Sequence, residues 1–399
     1  MKVAQFIIGT HGGAERFYVK LLSALGDYGV DQHAIHNSDP RLTEAVRASG
    51  VPATAISFAK GRDRAGRQQY REALAAIKPD IVVHWMNRAA RRAEMGSHIN
   101  VGRLGGFYPV RYYWRCDHLI ANTPQILDDI TGQGWPAHAA RMLSNFGELA
   151  PQPVADRASL GVPEDAFMLL AMGRFDPWKS FDTLISALKH LPEKTMLCLA
   201  GAGDRATLFE AHAVREGVSG RVKFLGWRDD QAALLGACDL CVVPSYHEPL
   251  GNVILEAWSL RAPVVAAASE GPRWLISHGE TGLLCEPRNA ADMAAKIREV
   301  QDSTALRQRL IEKGHAKWAS SFSKEVICKQ YAGFFKDVRT ESRPSSPVRL
   351  SRMLKGLALQ SRSRPSQKEP GPSQDRLAIA SNPGFATHDG AGRSRLRIL

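Results

Sequence analysis

The strongest constraint on this sequence is an alternation, run twice, of short continuous apolar segments with amphipathic helical ones. The opening segment 2–8 reads as a strand and is followed by glycines and a helix from about residue 14. Segments 31–36, 98–106 and 116–123 read as further strands, 40–50 as a helix closing on glycine, and 71–85 as a helix running into a buried strand. The pattern restarts after a polar, Pro-containing stretch. Segments 166–173, 195–203, 222–226, 239–245 and 263–268 read as strands, and 181–191, 206–217, 231–237, 252–260 and 291–301 as helices. Strands apolar on both faces, each returning through a helix, form parallel sheets covered on both sides. The expectation is two doubly wound α/β domains, with ligands gathering at the carboxyl ends of the strands and in the cleft between the domains. The boundaries read as a first domain 1–150, a linker 151–164, a second domain 165–320, a helix 321–339 returning to the first domain, and a tail 340–399.

Composition matters chiefly for the tail. The chain of 399 residues carries a formal charge of +12, and most of the excess falls in the final Arg-, Pro- and Ser-rich stretch. That stretch lacks apolar periodicity and is expected to be mostly disordered, apart from a short basic amphipathic helix over 348–359. A weak contact between this tail and an anionic membrane is one reading, and a solubilising extension is the other. Sequence-specific nucleic-acid binding is not expected from such a tail. No apolar run approaches the roughly 18 residues of a membrane span, and the first residues do not read as a signal peptide. The chain is therefore expected in the cytoplasm, at most peripheral on the cytoplasmic face of the inner membrane. Cys238 and Cys241 form a C-x-x-C only formally, because they straddle the start of a buried strand and read as buried thiols.

The residues that carry chemistry sit at strand ends. Gly12 and Gly13 follow the first strand and precede a helix, where free amides favour an anion. They do not make the G-x-G-x-x-G dinucleotide pattern, and no lysine-bearing phosphate loop is present. Arg174 and Lys179 follow the strand that opens the second domain, and both suit a diphosphate. Glu248 lies in a loop shaped by Pro249 and Gly251, Asn252 reads as the cap of the next helix, and Glu256 stands one turn further on the same face. Solvated surface cations and a Glu complementing the helix dipole are the alternative readings.

Here the chain resembles the retaining glycosyltransferases of family four. The matching pieces are "GGAER" at 12–16, "GRFDPWKSFDTLI" at 173–185, "LAGAGD" at 199–204, "VKFLGW" at 222–227 and "PSYHEPLGNVILEAWSLRAPVVA" at 244–266. The last holds that family's Glu-x7-Glu signature as Glu248 and Glu256. The resemblance covers about residues 1–335 and implies the GT-B fold, two Rossmann-like domains facing a central cleft. It implies a nucleoside-diphosphate sugar as donor, with uridine diphosphate preferred, and a glycan or lipid-linked acceptor in surface polysaccharide or lipopolysaccharide synthesis. Gly13, Arg174 and Lys179 would hold the diphosphate. Glu248 would touch the transferred sugar, Gly251 and Asn252 would offer amides, Glu256 would bind the ribose, and Arg228 would lie near the base. No cofactor and no metal are implied. On the acceptor side, His84 is expected to end its strand facing the cleft, with a purely structural histidine as the alternative. His11, Arg103, Tyr108 and Asn122 are further acceptor-side candidates. A sugar-phosphate synthase of the same fold and a non-catalytic nucleotide-sugar binder are the competing functions.

Overall fold

The computed structural model describes residues 1–9, 12–59 and 63–340. The tail and its basic segment 348–359 lie outside the described residues. The first sheet contains β1 (Lys2–Ile7), β2 (Asp31–Asn37), β3 (Ala53–Ile56), β4 (Ile81–Trp85), β5 (Ile99–Leu104), β6 (His118–Ala121) and β7 (Ala140–Met142), in the order β3-β2-β1-β4-β5-β6-β7. All its pairings are parallel, as the continuous apolar runs require. Its helices are α1 (Gly13–Leu25), α2 (Pro40–Ala48), α3 (Arg64–Ile77), α4 (Met86–Ala90) and α5 (Pro124–Gly132).

The second sheet contains β8 (Phe167–Met172), β9 (Thr195–Ala200), β10 (Val222–Gly226), β11 (Leu240–Val243), β12 (Val264–Ala267) and β13 (Leu283–Cys285), in the order β10-β9-β8-β11-β12-β13. It too is wholly parallel. Its helices are α6 (Phe181–Ala187), α7 (Ala206–Arg215), α8 (Gln231–Ala237), α9 (Asn252–Ser259), α10 (Glu270–Leu275), α11 (Ala290–Asp302) and α12 (Thr304–Ser321). In each sheet the winding reverses beside the opening strand, between β1 and β4 and between β8 and β11. Such switch points leave a crevice at the carboxyl ends of the strands.

Several helices start where local chemistry directs. Asp39 accepts from the Leu42 amide at 3.0 Å ahead of Pro40, and Thr123 accepts from the Ile126 amide at 3.4 Å ahead of Pro124. Helix α3 begins at Arg64, seven residues before its apolar periodicity becomes readable at Arg71, because Asp63 caps it through the Gly66 amide at 2.9 Å. A final helix, α13 (Lys324–Thr340), crosses back to the first domain. Its Ile327, Tyr331, Phe334, Phe335 and Val338 join Phe17, Tyr18 and Leu21 of α1 in one buried cluster. Among the described residues no helix is long and apolar enough to cross a membrane.

Candidate active site

On the second-domain side, β8 ends at Met172 and Gly173 (φ +150°) turns the chain into Arg174 and the short turn Pro177–Lys179. Lys179 Nζ donates to Glu248 Oε2 at 2.5 Å, and Ser245 Oγ donates to the same oxygen at 3.3 Å. Arg174 Nη2 lies 2.7 Å from Asp176 Oδ2 and keeps about half of its side chain in solvent (51% exposed). The loop bearing Glu248 is braced by Glu270 at the start of α10. The Glu248 amide donates to Glu270 Oε2 at 3.2 Å, and His247 Nδ1 is 2.8 Å from Glu270 Oε1. Burial pushes the Glu270 carboxyl up, but the amide and His247 hydrogen bonds outweigh it and hold the group below its usual value. The Glu248 carbonyl accepts from the Gly271 amide at 2.8 Å, and a Cβ at Gly271 would stand 2.2 Å from the Leu250 carbonyl oxygen, so this close approach requires glycine.

The start of α9 differs from expectation in one detail. Gly251, at φ +96°, is the cap, and Asn252 is the first helical residue. The left-handed turn uses the residue without a Cβ, which frees the Asn252 side chain to reach the first domain. There Asn145 Nδ2 donates to Asn252 Oδ1 at 2.7 Å, and a Cβ on Gly13 would stand 3.0 Å from Asn252 Nδ2. One turn on, Glu256 Oε1 accepts from Lys20 Nζ of α1 at 3.0 Å, with Arg16 Nη2 at 4.0 Å. Gln125 Nε2 of α5 donates to the Glu270 carbonyl at 3.4 Å. The glycines and α1 of the first domain thus face the Glu248–Glu256 segment of the second across one cleft.

The acceptor-side candidates do not all converge there. His84 is fully enclosed, which corrects its expected position facing the cleft. Strand alternation sends it to the α3 face of the sheet, with Phe6 beside it, and its Nε2 donates to Asn100 Oδ1 at 2.8 Å. Burial lowers its pKa to about 4, with the Asn100 hydrogen bond opposing. Arg103 is also buried, against the rings of Trp85 and Phe17. It donates through Nε to Tyr331 Oη at 3.1 Å and through Nη2 to Asn145, so it braces the cleft wall rather than meeting an acceptor. Tyr108 is half-buried, and burial, then the charge of Glu15, raises its pKa. Asn122 directly follows β6, with its Oδ1 buried and without a hydrogen-bond partner among the described residues. Arg228 stands after β10 in a pair with Asp230, with Nη2 to Oδ2 at 2.5 Å. Gly12 opens α1 at φ +152°, and His11 lies outside the described residues.

Sequence reasoning missed Lys20, Asn145 and Glu270. Glu270 was findable as a carboxylate shortly after a buried strand, as Glu248 was, although it opens α10 rather than lying in a loop. Lys20 and Asn145 carry no local signal, because their partners lie 236 and 107 residues away. Among the described residues no group of three or more His, Cys, Asp or Glu is placed to hold a metal ion. Burial raises the Cys238 thiol to about 12, and Cys241 is pushed well up as well, so neither behaves as a reactive thiolate.

A family profile described as "Glycosyl transferases group 1" matches residues 154–317. The lipopolysaccharide core biosynthesis glycosyltransferase LpsE of Rhizobium meliloti (strain 1021) is 37% identical over 340 residues, covering 83% of this chain and 98% of that protein. LpsD of the same organism is 33% identical, covering 84% and 98%. Among solved structures, Anabaena Alr3699/HepE in complex with UDP and glucose superposes with a TM-score of 0.73 at 23% identity, covering 84% of this chain and all of that one. That likeness identifies the two facing sheets as the GT-B fold. With relatives this similar along nearly their whole length, the chain belongs to the group 1 glycosyl transferases.

Proposed function

We propose that this chain is a retaining glycosyltransferase that moves a sugar from a nucleoside-diphosphate sugar, with UDP the preferred carrier, to a glycan or lipid-linked acceptor of the cell surface. The carrying observation is the Lys179–Glu248 contact beside the start of α9, facing Gly13 across the cleft. The leaving group is a nucleoside diphosphate, whose departure needs positive charge and amide donors. Lys179 and Arg174 supply the cations. The amides at Gly251 and Asn252 open the helix at its positive end. Glu248, freed from Lys179 as phosphate takes over that cation, accepts the transferred sugar's hydroxyls. Glu256 has Oε2 uncommitted among the described residues while Oε1 is held by Lys20, so it suits the ribose hydroxyls. Arg228 lies at the strand end where the base would rest. Attack on the same face as the departing diphosphate keeps the anomeric configuration, and no metal step is required. The similarity to two lipopolysaccharide core transferases supports an acceptor in the lipopolysaccharide core.

The test is a donor panel with purified protein, reading nucleoside diphosphate release with and without core acceptor. One UDP-sugar should be consumed in the presence of chelator, and proton NMR should show the donor's anomeric configuration in the product. Glu248→Ala should lower turnover by on the order of 100-fold, by analogy with loss of one transition-state contact, at an unchanged melting temperature. Wild-type turnover in that variant, inversion, or activity that chelator abolishes and manganese restores would each refute the corresponding part.

A further inference from the structure

The first domain carries an arginine cluster that the donor chemistry does not use. Arg88 and Arg91 are exposed on and just after α4, while Arg92, Arg111 and Arg115 are half-buried beside them. None of the five makes an ion pair among the described residues. The neighbouring Glu94 is already taken by Arg67 and Arg71, and Asp63 accepts from the Ala59 and Gly66 amides. Aromatic rings hold the guanidinium groups in place. Arg91 and Arg111 lie 5.0 and 4.9 Å from the Tyr112 ring centre, and Arg115 lies 4.1 Å from that of Trp114. Arg111 Nη1 is buried with no hydrogen-bond partner among the described residues.

The cluster borders the cleft. Helix α4 follows the carboxyl end of β4, and the turn bearing Arg111 follows a loop whose Phe107 reaches His247 of the second domain, with ring centres 6.5 Å apart. Arg92 and Arg115 feel the charges of Asp63 and Glu94 without pairing with them, while Arg88 and Arg91 repel Arg92 and Arg67 repels Arg115, so an anion joining the cluster would relieve repulsion. Flexible attraction to a charged surface needs only mobile exposed cations. Three half-buried guanidiniums, all laid on rings (Arg92 lies 5.3 Å from the Phe58 ring centre), present forks at set spacings, which suits a discrete ligand with several oxyanions.

We infer that Arg91 and Arg111, flanked by Arg88, Arg92 and Arg115, form an anion site on the acceptor side of the cleft, and that the acceptor is a glycan bearing phosphate or carboxylate groups. This rests on the glycosyltransferase reading above and narrows its acceptor class. The test is calorimetric titration with deacylated lipopolysaccharide core oligosaccharide, intact and after removal of its phosphates and reduction of its carboxyls. The proteins are the parent, Arg88→Ala/Arg91→Ala and Arg111→Gln. The first variant alters only exposed side chains, so its fold is retained. Each variant should bind the intact oligosaccharide on the order of tenfold more weakly, consistent with loss of hydrogen bonds to charged groups. The difference should vanish with the neutralised oligosaccharide, and UDP affinity should be unchanged in all three. Equal binding of the intact oligosaccharide by parent and variants, or equal binding of both oligosaccharides by the parent, would overturn the site. A loss confined to sedimentation with phosphatidylglycerol vesicles would assign the cluster to a membrane surface and also overturn it. Failure of the parent to bind UDP would instead strike the donor reading, so the two failures are distinguishable.

Discussion

At the residue scale, one buried histidine ties this fold to pH. His84 donates to Asn100 Oδ1, and Asn100 is oriented in turn by its Nδ2 donating to the Glu94 carbonyl at 2.9 Å. Burial lowers the His84 pKa from 6.5 to about 4. Above 6.5 the folded and unfolded chains both hold this imidazole neutral, so it gives no pH dependence there. Between 6.5 and 4 the unfolded chain takes up a proton that the folded chain refuses, and stability falls as the pH falls. The loss should reach on the order of 2–3 kcal/mol by pH 4.5, at about 1.4 kcal/mol per pH unit. His84→Gln keeps an amide donor for Asn100 and cannot titrate. Urea unfolding at pH 7 and 4.5 should show the parent losing that much more than the variant, and equal losses would mean that His84 does not set the acid sensitivity. The same enclosure explains why position in sequence misled for His84. A strand-end residue reads as cleft-facing, but strand alternation decides which face it occupies, and Arg103 on β5 is buried for a similar reason.

At the element scale, α13 belongs to the first core although it follows the second domain in sequence. Phe335 is fully buried and packs beside Tyr331 and Phe334, with ring centres 6.1 and 5.8 Å away. Phe335→Ala should destabilise by about 3–5 kcal/mol through lost burial and the cavity left behind. The two sheets have separate apolar clusters, so hydrogen exchange should rise in β1 and β4 and stay near parental in β8 and β11. A uniform rise in both sheets would show that the domains unfold as one unit. The long alternation of central strands and helices was readable because strands such as β4 and β9 are apolar on both faces. Strands β3, β7 and β13 escaped notice, being only three or four residues long at or near sheet edges, where pattern is weakest. Within the site, Lys179, Glu248 and the α9 start carry local signals of strand end, loop glycine and helix start. The residues that join them to the first domain carry none.

At the scale of the whole molecule, several of the contacts that cross the cleft are polar: Lys20 to Glu256, Asn145 to Asn252 and Gln125 to the Glu270 carbonyl. Apolar closure is local, as where Gly147 lies against Leu255. Interfaces of this kind permit domain motion, and their enclosed ion pairs set how firmly the cleft is held. The Lys20–Glu256 pair is the strongest candidate for that role, because the two side chains are only 24% and 7% exposed. Lys20→Ala leaves an enclosed carboxylate with Arg16, at 4.0 Å, as its remaining cation among the described residues, whereas the double variant with Glu256→Gln removes the charge that needed a partner. Thermal unfolding should therefore show Lys20→Ala as the more damaging change than its effect in the Glu256→Gln background. The coupling should be on the order of 1–2 kcal/mol, above an exposed pair and below a fully buried one. Small-angle scattering of Lys20→Ala should show a larger radius of gyration than the parent, reversed by saturating UDP if the nucleotide bridges both domains. Additive substitutions with unchanged scattering would mean that the pair is incidental and that the cleft is held by α13, the apolar contacts and the remaining polar contacts.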